Sequence, residues 1–208
     1  MHTNVVFDFG AVLFGWRPDL LLAEQFPHRA GTPQAAKALA QDIFHHADWQ
    51  SFDCGGLALE QVAERTAQRT ALPLPELTTF MAGIGDRLAP MPQSVDLLAS
   101  LRERRTRAGD VRLYFLSNMP APFARTLERR HDFLSWFDGG IFSADVRLIK
   151  PDPAIYALLE TRYLLDPART VFIDDLAANV SAAQARGWRG VHFQSAAQAA
   201  PHLLPDPA

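Results

Sequence analysis

Polar residues recur at one kind of place in this chain, the carboxyl end of an apolar run of strand length. The run "NVVFDF" (residues 4–9) carries Asp8, "VRLYFLSN" (111–118) ends in Ser117 and Asn118, and "TVFIDD" (170–175) ends in Asp174 and Asp175. "RGVHF" (189–193) and a weaker "GGIFSAD" (139–145) complete the set. The first run is continuously apolar, as a strand buried on both faces must be. Helical patterns stand between the later runs. Residues 94–105 put Val95, Leu98 and Leu101 on one face, and 154–163 and 177–186 follow suit, the last stopped by Gly187. Strand and helix in alternation predict βαβ units, hence an α/β fold: a three-layer, Rossmann-like parallel sheet with helices on both faces.

The stretch from Trp16 to Pro90 breaks the alternation. Helix-like spacing appears at 20–26, 35–44, 59–67 and 76–84, no strand pattern intervenes, and prolines and glycines punctuate it. The expectation is a helical cap domain over residues 16–90, inserted into a core formed by 1–15 and 91–208. The Ala/Pro-rich tail after Gln194 reads as a terminal decoration.

Composition narrows the partners. Of 208 residues 48% are hydrophobic and 21% charged, with 20 basic against 23 acidic, so neither nucleic acid nor a membrane surface is indicated. No basic leader precedes an apolar segment, and no apolar run is long enough to span a bilayer. The single cysteine, Cys54, excludes an internal disulfide framework and suits a reducing compartment, so the expected location is cytoplasmic. A monomer and a homodimer are equally compatible with the sequence.

Open α/β sheets bind ligands outside the carboxyl ends of their strands. Asp8, Ser117, Asn118, Asp174 and Asp175 therefore converge, with Lys150 of "LIKPDP" beside them. Carboxylates packed this closely repel unless a divalent cation neutralises them, and hard oxygen ligands select magnesium. A lysine with hydroxyl and amide donors nearby makes a cradle for phosphate oxygens. Each residue alone has a bland role, since an aspartate after a strand commonly caps a helix and a lone lysine is commonly a surface cation. The combination carries the inference.

These residues, in this order, resemble the haloacid dehalogenase superfamily, subfamily IA with a helical type 1 cap. "VVFDFGAVL" is similar to its first motif, "LYFLSN" to its second, Lys150 in "IKPDP" to its third and "VFIDDLAAN" to its fourth. "FDFGAVL", "WRP" and "FDCGGLALEQ" are similar to phosphatases related to the glucose-1-phosphate phosphatase and to the N-terminal domain of soluble epoxide hydrolases. The resemblance implies a hydrolase, a magnesium-dependent phosphatase acting on a small phosphorylated metabolite such as a sugar phosphate. Asp8 would attack phosphorus and carry an aspartyl-phosphate. Magnesium would be held by Asp8, the backbone carbonyl of Gly10 and Asp175, with Asp174 beside it. Ser117, Asn118 and Lys150 would hold phosphoryl oxygens, and Asn179 is a candidate support for the Asp175 loop.

One departure stands out. Family phosphatases typically carry an acid two residues after the nucleophile, and that place here is Gly10. General acid–base catalysis is worth about 10²–10⁴-fold, so its loss matters. Either the leaving group needs little protonation, or a cap residue or water substitutes, with Asp48, Asp53, His45 and His46 available. The competing readings are a haloacid dehalogenase, which needs no magnesium, and a non-catalytic phosphate- or metal-binding module. In the cap, Trp16, Arg17 and Trp49 are candidate substrate contacts, against hinge packing, a surface ion pair and cap core respectively. His131, Trp136 and Phe137 read as packing or surface, and Cys54 has no activating partner.

Overall fold

In the computed structural model, which describes residues 2–203, five strands form one parallel sheet in the order β3-β2-β1-β4-β5. They are β1 (Thr3–Phe7), β2 (Val111–Ser117), β3 (Gly139–Phe142), β4 (Thr170–Asp174) and β5 (Arg189–His192). All five expected strands are present, including the weak one at Gly139. That strand runs close beneath its neighbours, since a Cβ on Gly140 would sit 2.3 Å from the Phe115 ring and one on Gly139 would strike Tyr163. Only glycines let the edge strand approach so closely.

Side chains alternate across the sheet and both faces are buried. Val5, Phe7, Leu113, Val171 and Ile173 enter one apolar cluster, while Val6, Tyr114, Leu116, Phe172 and Ile141 enter the other. Helices cover both layers, which gives the three-layer architecture.

Seven helices and no strand separate β1 from the next core helix: α1 (Pro18–Gln25), α2 (Pro27–Ala30), α3 (Pro33–Phe44), α4 (Ala47–Asp53), α5 (Leu59–Thr70), α6 (Leu74–Ala82) and α7 (Ile84–Arg87). Proline opens several of them at the first helical turn, where its missing N–H costs nothing. The chain leaves the core and returns side by side. Gly15 N donates to Ala89 O at 2.8 Å, and Met91 N donates to Leu13 O at 2.8 Å. The insert's buried residues, among them Leu22, Ile43, Trp49 and Leu77, belong to the same apolar cluster as Phe7 and Phe9, so the helices are packed against the sheet layer through a continuous core.

The remaining helices are α8 (Pro92–Ala108), α9 (Ala121–Arg130), α10 (Ser143–Val146), α11 (Pro153–Tyr163), α12 (Ala177–Ala185) and α13 (Ala196–Leu203). The short helices α2, α4, α7 and α10, and the terminal α13, differ from the sequence reading. Helix α4 carried no clear periodicity, because it is short and leans on an aromatic cluster. Helix α13 replaces the expected decoration after Gln194: Ala196, Ala199 and Leu203 are buried against the core, an apolar stripe that alanine-rich composition disguised. The end of that tail, residues 204–208, lies outside the described residues. No described helix is long and apolar enough to cross a membrane.

Candidate active site

Strand order reverses direction at β1, whose neighbours are β2 and β4. A crevice opens at such a switch point, at the carboxyl ends of the strands. Parallel register brings Phe7, Phe115 and Ile173 level, so Asp8, Ser117 and Asp174 emerge together.

Lys150 lies at the centre of this group. Its ammonium is 2.9 Å from Asp8 Oδ1 and donates to Asp174 Oδ2 at 2.6 Å. It is 3% exposed, so a cation here without partners would be prohibitive. Burial alone would lower its pKa, but Asp174 and Asp8 outweigh that and hold it above the usual lysine range. The ammonium also stands 5.4 Å from the centre of the Phe172 ring.

Two amides hold this arrangement. Asn118 Nδ2 donates to Lys150 O at 2.9 Å, and Asn118 Oδ1 accepts from Lys150 N at 2.8 Å. Asn179 Nδ2 donates to both oxygens of Asp174 at 3.0 Å, and Leu176 N donates to Asp174 Oδ1 at 2.8 Å. Asn179 thus supports Asp174, where the sequence suggested the Asp175 loop. Tyr156 in turn donates to Asn179 O at 3.0 Å. The Asp175 carbonyl is instead met by His192 Nε2 at 2.8 Å. Sequence reasoning passed over His192; its signal was a polar residue at the end of β5, which register places opposite Asp174.

Asp8 accepts from Phe9 N at 2.7 Å through Oδ1, the same oxygen that faces Lys150. Its Oδ2 has no hydrogen bond among the described residues. Burial pushes Asp8 up to about 7, with Lys150 pulling it down and Asp174 adding to the rise. Asp175 is raised by burial and then by Asp174. Ser117 is buried, and its hydroxyl makes no hydrogen bond to a described residue. Ala11, next to Gly10, holds φ +54°, a left-handed turn that swings the chain from Asp8 towards the insert.

The carboxylates suit a metal. Oxygens of Asp8, Asp174 and Asp175 all lie within 4.8 Å of one another, an oxygen-only set whose negative charge exceeds the single lysine beside it. Hard dications such as magnesium take such ligands. Asp174, however, already accepts from Lys150, Asn179 and Leu176, which leaves Asp8 and Asp175 as the carboxylates with free oxygens.

Other sequence candidates sort clearly. Arg17 pairs with Asp19 at 3.3 Å on the surface, and Trp49 is buried in the cap's aromatic cluster with Phe44 and Phe52, so both take their bland roles. Trp16 is half-buried, edge-on to Phe44 at 5.1 Å, and its Cβ lies 4.0 Å from where a Cβ on Gly10 would sit. Asp48 binds Arg65 at 3.1 Å and Arg69 at 3.0 Å, and His46 Nδ1 accepts from Asp48 N at the start of α4. His45 is exposed and ends α3. His131 packs between Phe14 and Phe133, Phe137 against Phe7 and Phe9, and Trp136 beneath Arg102. Asp53, at the end of α4, is linked to the loop after Ser117 through Ser143, whose hydroxyl donates to Asp53 O and accepts from Met119 N; burial pushes its carboxyl up to about 8, with Asp8 raising it and Lys150 lowering it. Cys54 follows it and has no such partner.

Comparison with known proteins adds a family. A model of haloacid dehalogenase-like hydrolases matches residues 23–187. A sesquiterpene phosphatase of Aspergillus oryzae is 29% identical over 188 residues, covering 90% of this chain and 88% of that protein. A drimenol cyclase of Aspergillus calidoustus is 27% identical over 198 residues, 93% of this chain but 34% of its own length. Among solved structures, a HAD family enzyme from Bacteroides thetaiotaomicron in its magnesium complex superposes with a TM-score of 0.72 at 19% identity, covering 99% of each chain. The L-2-haloacid dehalogenase of Xanthobacter autotrophicus does so at 0.68 and 22% identity, over 99% of this chain and 84% of its own. At these identities the two structures speak for the fold.

Proposed function

Because the chain belongs to the haloacid dehalogenase-like hydrolases, we propose that it is a magnesium-dependent phosphatase using Asp8 as nucleophile. The observation that carries this reading is the cluster of three carboxylates around one buried lysine, with an unbonded serine hydroxyl alongside. A dehalogenase, which needs no cation, has no use for that excess of negative charge.

Asp8 and Asp175, with the backbone carbonyl of Gly10, would hold the ion, while Asp174 positions Lys150. Bound there, Mg²⁺ would neutralise the carboxylates and draw phosphoryl oxygens towards Asp8. The bonds to Oδ1 fix the plane of the Asp8 carboxylate, which would attack phosphorus beside the ion. The ester P–O bond breaks as the aspartyl-phosphate forms, and water attack at phosphorus then restores Asp8 and releases phosphate. Lys150 and the Ser117 hydroxyl stabilise charge on the transferring phosphoryl oxygens. Asn118 acts indirectly, since its amide is committed to Lys150.

The leaving group is read by the helical cap, residues 16–90. The sesquiterpene phosphatase relative favours an apolar alcohol over a sugar. Leu176, exposed just after Asp175, and Trp16 beside Gly10 give that alcohol apolar surface at the site. The lone cysteine keeps a cytoplasmic setting the best supported.

The test is phosphate release from farnesyl phosphate, glucose 1-phosphate, glucose 6-phosphate and 4-nitrophenyl phosphate, with magnesium or with EDTA, beside halide release from 2-chloropropionate. Magnesium-dependent phosphate release that falls by about 10³-fold or more in Asp8→Asn supports the reading. EDTA-insensitive halide release, or no turnover by a protein that still binds magnesium, would overturn it.

A further inference from the structure

Gly10 leaves the site without a proton donor next to the nucleophile, and the structure assigns that task to Asp53 of the cap. We propose that Asp53 protonates the leaving oxygen and then activates the water that hydrolyses the aspartyl-phosphate. The proposal rests on the phosphatase reading above.

Placement is the first argument. Asp53 is the last residue of α4, and its backbone carbonyl accepts from Ser143 Oγ of α10. The same hydroxyl accepts from Met119 N at 2.8 Å, directly after Ser117 and Asn118. One buried serine thus ties the end of α4 to the loop that carries the phosphate-binding candidates. The turn beyond Asp53 is seated as tightly: Gly55 holds φ +72°, and a Cβ there would lie 2.7 Å from Ala144 O. This corner of the cap is fixed to the core beside the site.

Availability is the second. The Asp53 carboxyl makes no hydrogen bond or ion pair among the described residues, although the residue is half-buried. Elsewhere on α4, Asp48 is occupied by two arginines, and Arg65, His46 and Arg69 together outweigh its burial and hold it ionised. An acid needs a carboxyl not already committed to a cation, and Asp53, held at the corner seated on the Ser117–Met119 loop, is the one α4 carboxyl that meets this condition.

The step balances. As Asp8 attacks phosphorus and the ester bond breaks, the Asp53 proton passes to the departing alkoxide, giving the free alcohol. Asp53, now ionised, takes a proton from the water that attacks the aspartyl-phosphate, and both carboxyls return to their starting states.

The experiment compares wild type, Asp53→Asn, Gly10→Asp and the double variant. Substrates are 4-nitrophenyl phosphate, whose leaving group needs no proton, and an alkyl phosphate that the wild type hydrolyses, farnesyl phosphate or glucose 6-phosphate. In Asp53→Asn the alkyl phosphate should slow by about 10²-fold or more, while the rapid first burst of 4-nitrophenolate persists. A Cβ on Gly10 meets nothing closer than Trp16 Cβ at 4.0 Å, so a side chain can be started there without a backbone clash. The double variant should recover at least about tenfold of the lost alkyl rate. Equal slowing of the burst and the alkyl reaction, an unchanged alkyl rate, or no recovery by Gly10→Asp would overturn the assignment to Asp53. Absence of any wild-type turnover would instead remove the phosphatase reading, and this inference with it.

Discussion

Asn118 grips the backbone of Lys150 from both sides, its Nδ2 donating to the lysine carbonyl at 2.9 Å and its Oδ1 accepting from the lysine N–H at 2.8 Å. These two bonds span 32 residues of sequence and set where the ammonium stands between Asp8 and Asp174. Asn118→Ala should therefore lower kcat by about 10–100-fold, the usual cost of losing a residue that orients a reacting group. Asn118→Asp keeps the acceptor for the N–H but turns a carboxylate on the lysine carbonyl, and should do no better. Wild-type kcat in Asn118→Ala, measured on folded protein, would show the clamp to be dispensable.

Asp174 and Asp175 are neighbours with opposite expectations. Asp174 is fully buried against Lys150, so Asp174→Asn removes a charge that the buried cation needs and should destabilise the metal-free protein by about 3 kcal/mol. Asp175 makes no ion pair, and burial and Asp174 both disfavour its charge, so Asp175→Asn should keep or slightly raise metal-free stability near neutral pH. What Asp175→Asn should lose is the rise in Tm on adding magnesium, which follows from binding to the native state alone. Thermal melts of both variants, with and without magnesium, read the two effects separately.

Asp53 gives a pH dependence with a definite sign. Its folded-state pKa of about 8 lies above the ordinary carboxylate value of 3.8, so the native state holds the proton more tightly than the unfolded one. Stability from this group is complete below the unfolded pKa and is lost as pH rises towards 8. Asp8 acts in the same direction through about pH 7. In EDTA, wild-type Tm should fall between pH 5 and pH 8.5 more steeply than that of Asp53→Asn. At the upper end the variant should be the more stable by at least about 2–4 °C, the equivalent of 1 kcal/mol in a chain of this size. Parallel pH curves would show that Asp53 ionises freely.

Ser94 offers a stability test remote from the chemistry. It is buried in α8, and its hydroxyl has no hydrogen-bond partner among the described residues. Ser94→Ala removes an unmet polar group and improves helix propensity, and should raise stability by about 1 kcal/mol without altering kcat. Urea unfolding of the two proteins measures it.

Much of this molecule was legible in order along the chain. The apolar runs ending at Asp8, Ser117 and Asp174 announced a parallel sheet and the edge at which chemistry gathers, because strand burial and the carboxyl-end rule are local and topological constraints. The insert's longer helices, α1, α3, α5 and α6, were readable from spacing, while α2, α4 and α7 are too short to show a period. What the linear sequence left open was the assignment of partners. Asn118 and Lys150 meet across 32 residues and Asn179 chooses Asp174 over Asp175. Asp53 and Asp48, five positions apart on one helix, end in opposite environments, one with its carboxyl unpaired and the other among arginines. The sequence by itself determined which elements form and which residue types reach the carboxyl edge of the sheet. Only the tertiary structure decided which carboxyl is buried, which is paired and which is left free, because solvation and charge pairing depend on distances that no periodicity encodes.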